Sequence, residues 1–282
     1  MTGIDHYTPA EIASLIDSRG VTKAKAPALT TLALGVLAGC FIALGGVFST
    51  LASTGSNLGF GPTRVLSGLV FSLGLILVIV AGAELFTGNN LIVMSWIGGR
   101  ISARDLLRNW GLVYIGNFIG ALSIVLMVYY GRWWDQDRAA VGGTAVAIAT
   151  AKVHLPFFVA LVRGILANAL VCLAVWLAAG GRSVVDKVFG IVFPIAAFVA
   201  GGFEHSVANM YFIPLGLLLS QEPAVSQAAG ISSHQLAGLT WSGFWRNLAA
   251  ATVGNVIGGG VLVGLVYWFI YLRNQESHEE KS

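Results

Sequence analysis

Two stretches of this sequence set acids, amides and an imidazole among apolar neighbours. They are Gly82-Ala83-Glu84-Leu85-Phe86-Thr87-Gly88-Asn89-Asn90 and Gly202-Phe203-Glu204-His205-Ser206-Val207-Ala208-Asn209-Met210, and Gly, Glu and Asn recur between them at a constant spacing of 120 residues. A second echo pairs Gly116-Asn117-Phe118-Ile119-Gly120 with Gly254-Asn255-Val256-Ile257-Gly258. Ionisable groups in apolar segments are costly and mark either a pathway or a buried brace. Glu84 and Glu204 occupy equivalent positions, which favours a shared scaffold role: each carboxylate accepts hydrogen bonds from the N–H groups of its own irregular turn. His205 stands opposite Leu85, so symmetry does not demand it. Neighbouring helical side chains point roughly 100° apart, so His205 can face a pathway while Glu204 braces the loop. An imidazole at that depth is suited to proton handling, because it changes charge between about pH 5 and 8.

Other candidates read more plainly. Phe71, Leu75, Val171 and Phe198 are by default packing or lipid-facing residues. Lys152, in Ala151-Lys152-Val153-His154 ahead of an apolar segment, is by default an interfacial anchor. Asn117, Asn168 and Asn255 suit interhelical hydrogen bonds. Cys40 and Cys172 each lie in an apolar span with no second Cys or His at ligand spacing, so they read as packing residues, with no metal or other cofactor implied. There is no HExxH run and no nucleophile elbow, which counts against an intramembrane enzyme.

The elements that must hold these residues follow from composition. The 282-residue chain is 56% hydrophobic and 10% charged, whereas a soluble domain carries about a quarter charged residues. Its net charge of +3 is scattered, with no clustered basic tract for nucleic acid. Hydropathy and charge predict six membrane segments at about 28–51, 65–97, 108–130, 157–179, 188–219 and 246–271. Residues 1–27 are expected to form a lead-in and 274–282 a tail, both cytoplasmic, flanking a six-span transmembrane domain over 28–273. Met1–Gly20 lacks the basic and apolar regions of a signal peptide. With both termini inside, Arg19, Lys23, Lys25, Arg100, Arg104, Arg108, Arg182, Lys187, Arg273 and Lys281 are cytoplasmic, against Arg64, Arg132, Arg138, Lys152, Arg163 and Arg246 at the outer face. In the lead-in, Thr8-Pro9-Ala10-Glu11 reads as a capping box opening a short amphipathic helix with Ile12, Leu15 and Ile16 on one face. That helix is an interfacial anchor, a subunit contact, or a lid over the cytoplasmic mouth.

The second and fifth segments are too long. At 1.5 Å per residue, Val65–Ile97 as one helix would span roughly 50 Å against a hydrocarbon core of about 30 Å. Each is therefore expected to break near its middle, at the two Glu-bearing stretches. The echoes pair segment two with five and three with six, so the repeating unit is three spans and the second copy is inverted. The GNxIG glycines suit close helix approach around the axis between the copies. A restarting helix offers free N–H groups and partial positive charge to an anion, while the freed carbonyls leave a cation pathway open.

The run Phe71-Ser72-Leu73-Gly74-Leu75-Ile76-Leu77, the motif Glu84-Leu85-Phe86-Thr87, Asn109-Trp110 with Tyr114-Ile115-Gly116-Asn117, Cys172-Leu173-Ala174-Val175-Trp176, Gly202 to Met210, and Gly254 to Gly258 together resemble the formate–nitrite transporter family. The likeness runs from about Thr30 to Arg273. It implies an all-α, aquaporin-like six-span protomer with a 3+3 inverted repeat, in a homopentamer of the bacterial inner membrane, each protomer with its own anion path. It also implies that Phe71, Leu75, Leu85, Val171 and Phe198 form apolar constrictions around a central His205, with Thr87 and Asn255 as its polar partners and Glu204 beside it. Lys152 and Asn168 would draw and orient the anion in the outer vestibule. A small weak-acid anion would cross with proton donation from or through His205. Gly181-Arg182-Ser183 through Asp186-Lys187, Phe193-Pro194-Ile195 and Gly258-Gly259-Gly260 look more like the formate channels, whereas Glu84 to Gly88 is also similar to nitrite channels. Formate is taken first, with nitrite or hydrosulfide as alternatives. Arg163 departs from the small or apolar residue expected there; it either adds to the vestibule potential or snorkels to the interface. A cation or water channel of the same architecture is the remaining rival.

Overall fold

The computed structural model describes residues 6–230, 232 and 236–273, so the expected tail at 274–282 lies outside the described residues. Helix α1, Pro9–Lys25, begins at a complete capping box: Thr8 Oγ1 accepts from the Glu11 amide, and the Glu11 carboxylate accepts from the Thr8 amide. Those bonds hold the exposed Glu11 carboxyl below the usual glutamate range, the backbone N–H contributing most. Ile12, Ala13 and Ile16 then bury against Cys172, Trp176, Ala179 and Val263. The lead-in is thus packed onto the helical body.

Five helices among the described residues are long and apolar enough to cross a membrane: Ala28–Ser53, Phe60–Gly82, Ala103–Tyr130, Phe157–Gly180 and Trp241–Tyr271. We label their α-helical parts α2 (Ala28–Ser53), α3 (Phe60–Leu77), α5 (Ala103–Tyr130), α7 (Phe157–Gly180) and α11 (Trp241–Asn255). Between α3 and α5 lies the short α4, Val93–Ile97; between α5 and α7 lies α6, Ala140–Val153. The segment expected at 188–219 is two shorter helices, α8 (Val184–Ala200) and α9 (Ser206–Leu219), and α10 (Pro223–Ala229) follows.

Both long segments break where the Glu residues fall. After α3 a π-helical turn over Val78–Gly82 unwinds at Gly82 (φ 85°), Ala83 is extended, and a 3-10 turn over Gly88–Ile92 restarts the chain into α4. After α8 the chain turns through Gly202 (φ 70°), and His205, in extended conformation, is the N-cap of α9. A positive φ is nearly free for glycine and strained for other residues, so Gly82 and Gly202 are the points at which each helix can leave its axis.

The GNxIG glycines are contact points, but not between the two halves. A Cβ on Gly116 would lie 2.9 Å from the Gly35 Cα, and one on Gly254 would lie 3.0 Å from the Gly164 Cα. They therefore press α5 onto α2 and α11 onto α7, inside each repeat. The expected close helix approach is present, and it lies within each half: with no side chain to intervene, the paired spans pack backbone to backbone.

Candidate functional site

The two breaks are held by matching sets of side chains. Glu84 accepts from Lys23 Nζ (3.1 Å) and Asn89 Nδ2 (2.6 Å); Asn89 Nδ2 also donates to Asn109 Oδ1, and Asn109 Nδ2 donates to the Lys23 carbonyl. Glu204 accepts from Lys152 Nζ (2.9 Å), Asn209 Nδ2 (2.7 Å) and Asn247 Nδ2 (3.0 Å), while Asn247 Nδ2 also donates to the Lys152 carbonyl. Lysine and asparagine side chains therefore satisfy these carboxylates, in place of the turn N–H groups expected from sequence. Those N–H groups are already taken. Phe86 N donates to Asn117 Oδ1 (2.9 Å) and Ser206 N to Asn255 Oδ1 (2.8 Å), while the amides of Glu84 and Glu204 donate to the carbonyls of Leu34 and Arg163. A buried charge survives only when paired and hydrogen-bonded, and both carboxylates meet that condition.

Asn117 and Asn255 complete the frame. Asn117 Nδ2 donates to the carbonyls of Gly35 and Glu84, and Asn255 Nδ2 to those of Gly164 and Glu204. Each amide thus ties one irregular turn to a neighbouring span. Asn255 reaches the backbone on either side of His205, not its ring. Asn168, fully buried, donates to the Thr87 and Asn255 carbonyls and to Asn90 Oδ1, so it joins the first turn to the end of α11 instead of facing a vestibule.

His205 is where the halves differ. Its Nδ1 accepts from the Ala208 amide (3.1 Å), which caps α9, and its Nε2 lies 2.9 Å from Thr87 Oγ1 on the opposite break. An acceptor Nδ1 leaves the proton on Nε2, so the ring donates to the threonine oxygen. Thr87 is the His205 partner expected from sequence.

A cavity of about 400 Å³ opens onto His205. Phe71, Phe198, Phe212 and His205 line it, with Phe71 edge-on to Phe198 at 5.7 Å and Phe198 5.6 Å from the imidazole. Its wall carries Arg64, Lys152, Arg163 and Glu204, three cations against one carboxylate, together with the hydroxyls of Ser49, Ser53, Thr63, Ser67 and Thr144. Leu75, Leu85 and Val171 lie in the same buried apolar cluster as Phe71 and Phe198, beyond the cavity. Arg163 faces this cavity and donates to the Gly202 carbonyl, so of the two readings of that residue the vestibule one matches its position.

A threonine-linked imidazole lining a cationic cavity, between two symmetry-related helix breaks, is the arrangement against which known proteins can be compared. Residues 10–269 match the formate/nitrite transporter family. The chain belongs to that family. It is 44% identical over 278 residues to the formate channel FocA of Escherichia coli, covering 97% of this chain and 98% of that one. The formate channel FocA of Haemophilus influenzae is 38% identical, with 92% of each chain covered. Among solved structures, a pentameric formate channel with formate bound superposes with a TM-score of 0.81 at 40% identity, covering 87% of this chain and 98% of that chain. An FNT family ion channel superposes at 0.76 with 27% identity, covering 92% and 98%. These relatives are channels, not enzymes.

Several members of the site escaped the sequence reading. Lys23 reads as a loop charge, Asn89, Asn209 and Asn247 do not stand out as carboxylate partners nor Asn109 as the support of Asn89 and Lys23, and α6 does not stand out as an element. Their signal is nonetheless present. Arg108-Asn109 and Arg246-Asn247 are separated by the same 138 residues as the two GNxIG runs, and Lys23 and Lys152 each stand four residues before a proline, Pro27 and Pro156. The repeat therefore includes α1 and α6: Arg108 donates to the Ala24 carbonyl and Arg246 to the Val153 carbonyl, at the ends of these two helices.

Proposed function

We propose that this chain conducts formate, as a six-span, aquaporin-like protomer of a homopentamer in the bacterial inner membrane, with both termini cytoplasmic. The observation that carries the reading is His205 lining one cavity with three cations, one carboxylate and the rings of Phe71, Phe198 and Phe212. Family membership and the formate-channel relatives support the choice of anion; the pentameric relative supports the assembly. For the six-span count, α8 and α9 together are read as the fifth crossing, continuous across the break.

In this reading the positive cavity concentrates a monovalent anion, and Glu204 does not oppose it because Lys152 and two asparagines already hold its charge. Phe71 and Phe198, then Leu75, Leu85 and Val171, form the apolar constrictions, which exclude hydrated cations and strip water from the anion. On the cavity wall, His205 Nε2–H is a hydrogen-bond donor that can turn from Thr87 to the anion.

Proton transfer has a stated cost. If His205 is to give a proton and remain a neutral imidazole, it must first hold a second proton on Nδ1, which displaces the Ala208 amide and uncaps α9. The transfer is then Nε2–H to carboxylate oxygen, leaving the other proton on the ring; formate crosses as formic acid.

The test is flux in proteoliposomes of pure protein, comparing formate, nitrite, hydrosulfide and lactate at two pH values, with ion-replacement currents in chloride and sodium. Formate flux well above empty vesicles, with no sodium current, is the expected result. A preference for nitrite moves the chain to the other branch of the family, and a sodium current overturns the anion reading.

A further inference from the structure

Arg64 and Arg163 have no counterpart in the other half of the molecule. By the spacings of the repeat, their equivalents are Val184 and Leu34. Both arginines line the cavity and both donate to carbonyls at the end of α8, where Val199 also accepts from the Gly202 amide while Ala200 and Gly202 accept from the guanidinium groups. Arg64 Nη2 donates to Val199 (2.7 Å), Arg64 Nε to Ala200 (3.2 Å) and Arg163 Nη1 to Gly202 (3.4 Å). At the other break, among the described residues, no side chain donates to the carbonyls of Ile79, Val80 or Gly82.

That asymmetry bears on selectivity. The C-terminal end of a helix carries partial negative charge on unsatisfied carbonyls, and such carbonyls at a broken helix are a ready cation site. Left bare, the end of α8 would present this negative end to the cavity that feeds His205. Two arginines over the same carbonyls invert the sign of the wall while leaving N–H groups pointing at the cavity, since each guanidinium has five donors and uses one or two.

We infer that Arg64 and Arg163 together form an anion-recruiting and cation-rejecting selectivity element at the mouth of the cavity, for small monovalent oxyanions. The inference rests on the anion-channel reading and deepens it: the α8 break carries a charge-inverting cap that the α3 break lacks. The pair acts on capture from solution, before the anion meets the apolar constriction, and its effect depends on ionic strength because long-range attraction is screened by salt.

The experiment compares the full-length parent with Arg163→Gln, Arg163→Lys and Arg64→Gln in proteoliposomes. It measures formate flux against concentration at low and high ionic strength, and reversal potential in a sodium formate gradient. Glutamine keeps a donor for the carbonyl and removes the charge; lysine keeps the charge. The expected result for each glutamine variant is a half-saturating formate concentration raised about three- to ten-fold. Its saturating rate stays within about two-fold, its salt dependence is weakened and its sodium permeability becomes measurable, while Arg163→Lys stays near the parent. Unchanged half-saturation and salt dependence in both glutamine variants would overturn the inference and leave the arginines as helix caps only. Equal losses in the lysine and glutamine variants at 163 would overturn it too, since geometry and not charge would then be responsible. A parent that carries sodium and not formate instead sinks the anion-channel reading, a result separate from either.

Discussion

The break between α3 and α4 and the break between α8 and α9 are built from the same parts and differ in what faces the cavity. Each has a positive-φ glycine, a carboxylate held by a lysine and by asparagine (Asn89 at Glu84, Asn209 and Asn247 at Glu204), and an amide from a neighbouring span on the restarting N–H. Only the second has an imidazole where the first has Leu85, and only the second has arginines over its freed carbonyls. What the halves share is what any broken helix in lipid needs, a partner for every polar group. What they do not share, His205 and the two arginines, is where we place the proposed activity.

The comparison can be broken first at the carboxylates. Both oxygens of Glu204 accept hydrogen bonds from cations or amides, so Glu204→Gln can supply only one acceptor and turns an N–H toward a donor. A loss of about 3–5 kcal/mol is expected, as for a buried pair deprived of one partner. Glu84→Gln should lose less, because the Lys23–Glu84 pair is more exposed, 35% and 12% against 16% and 3% for Lys152–Glu204. Thermal unfolding of the two variants in detergent checks the order, and equal losses would mean that burial does not separate the two braces.

Asn117→Ala and Asn255→Ala should come next and should match. Each removes the three hydrogen bonds that fix one turn and leaves buried backbone groups unpaired, for a loss of about 2–3 kcal/mol. Unequal unfolding shifts would show that the frame is not shared.

His205→Leu installs the residue of the other half. Formate flux should fall about ten-fold, or about 1.4 kcal/mol, and lose its pH dependence, alongside a stability loss of about 1 kcal/mol from the missing α9 cap. Identical pH–flux curves for variant and parent would remove His205 from the proton step.

The smallest effect concerns α1. Because the Glu11 carboxyl titrates lower in the folded chain than in the unfolded one, its contribution is present above the ordinary glutamate value and is lost as pH falls through the lowered one. Local fraying of α1 at acid pH, read as faster amide exchange over residues 9–16 after correction for the intrinsic rate, is expected, and Thr8→Ala should fray it already at neutral pH. Ile12, Ala13 and Ile16 bury against the helical body, which favours the packing role for α1 over a gate. Flux that changed on deleting residues 1–20, with assembly intact, would restore the gate.

Much of this was legible along the chain. Apolar segments of excessive length announced the breaks, and repeated Gly, Glu and Asn located them, because lipid forbids a long unsatisfied stretch and few residue types can repair one. The capping box at Thr8 and the Thr87–His205 pairing also lay within reach of pattern and resemblance. Hidden were the contacts between residues remote in sequence: Lys23 on Glu84, Asn168 joining the first turn to α11, and the guanidinium groups of Arg64 and Arg163 on the end of α8. Positive residues near span ends look alike in sequence, whether they anchor in headgroups or turn inward. Hydropathy and spacing dictate which segments enter the membrane and where they must break. Which cation meets which carbonyl depends on how the two inverted halves pack, since hydrogen bonds of about 3 Å are set by three-dimensional neighbours and not by position along the chain.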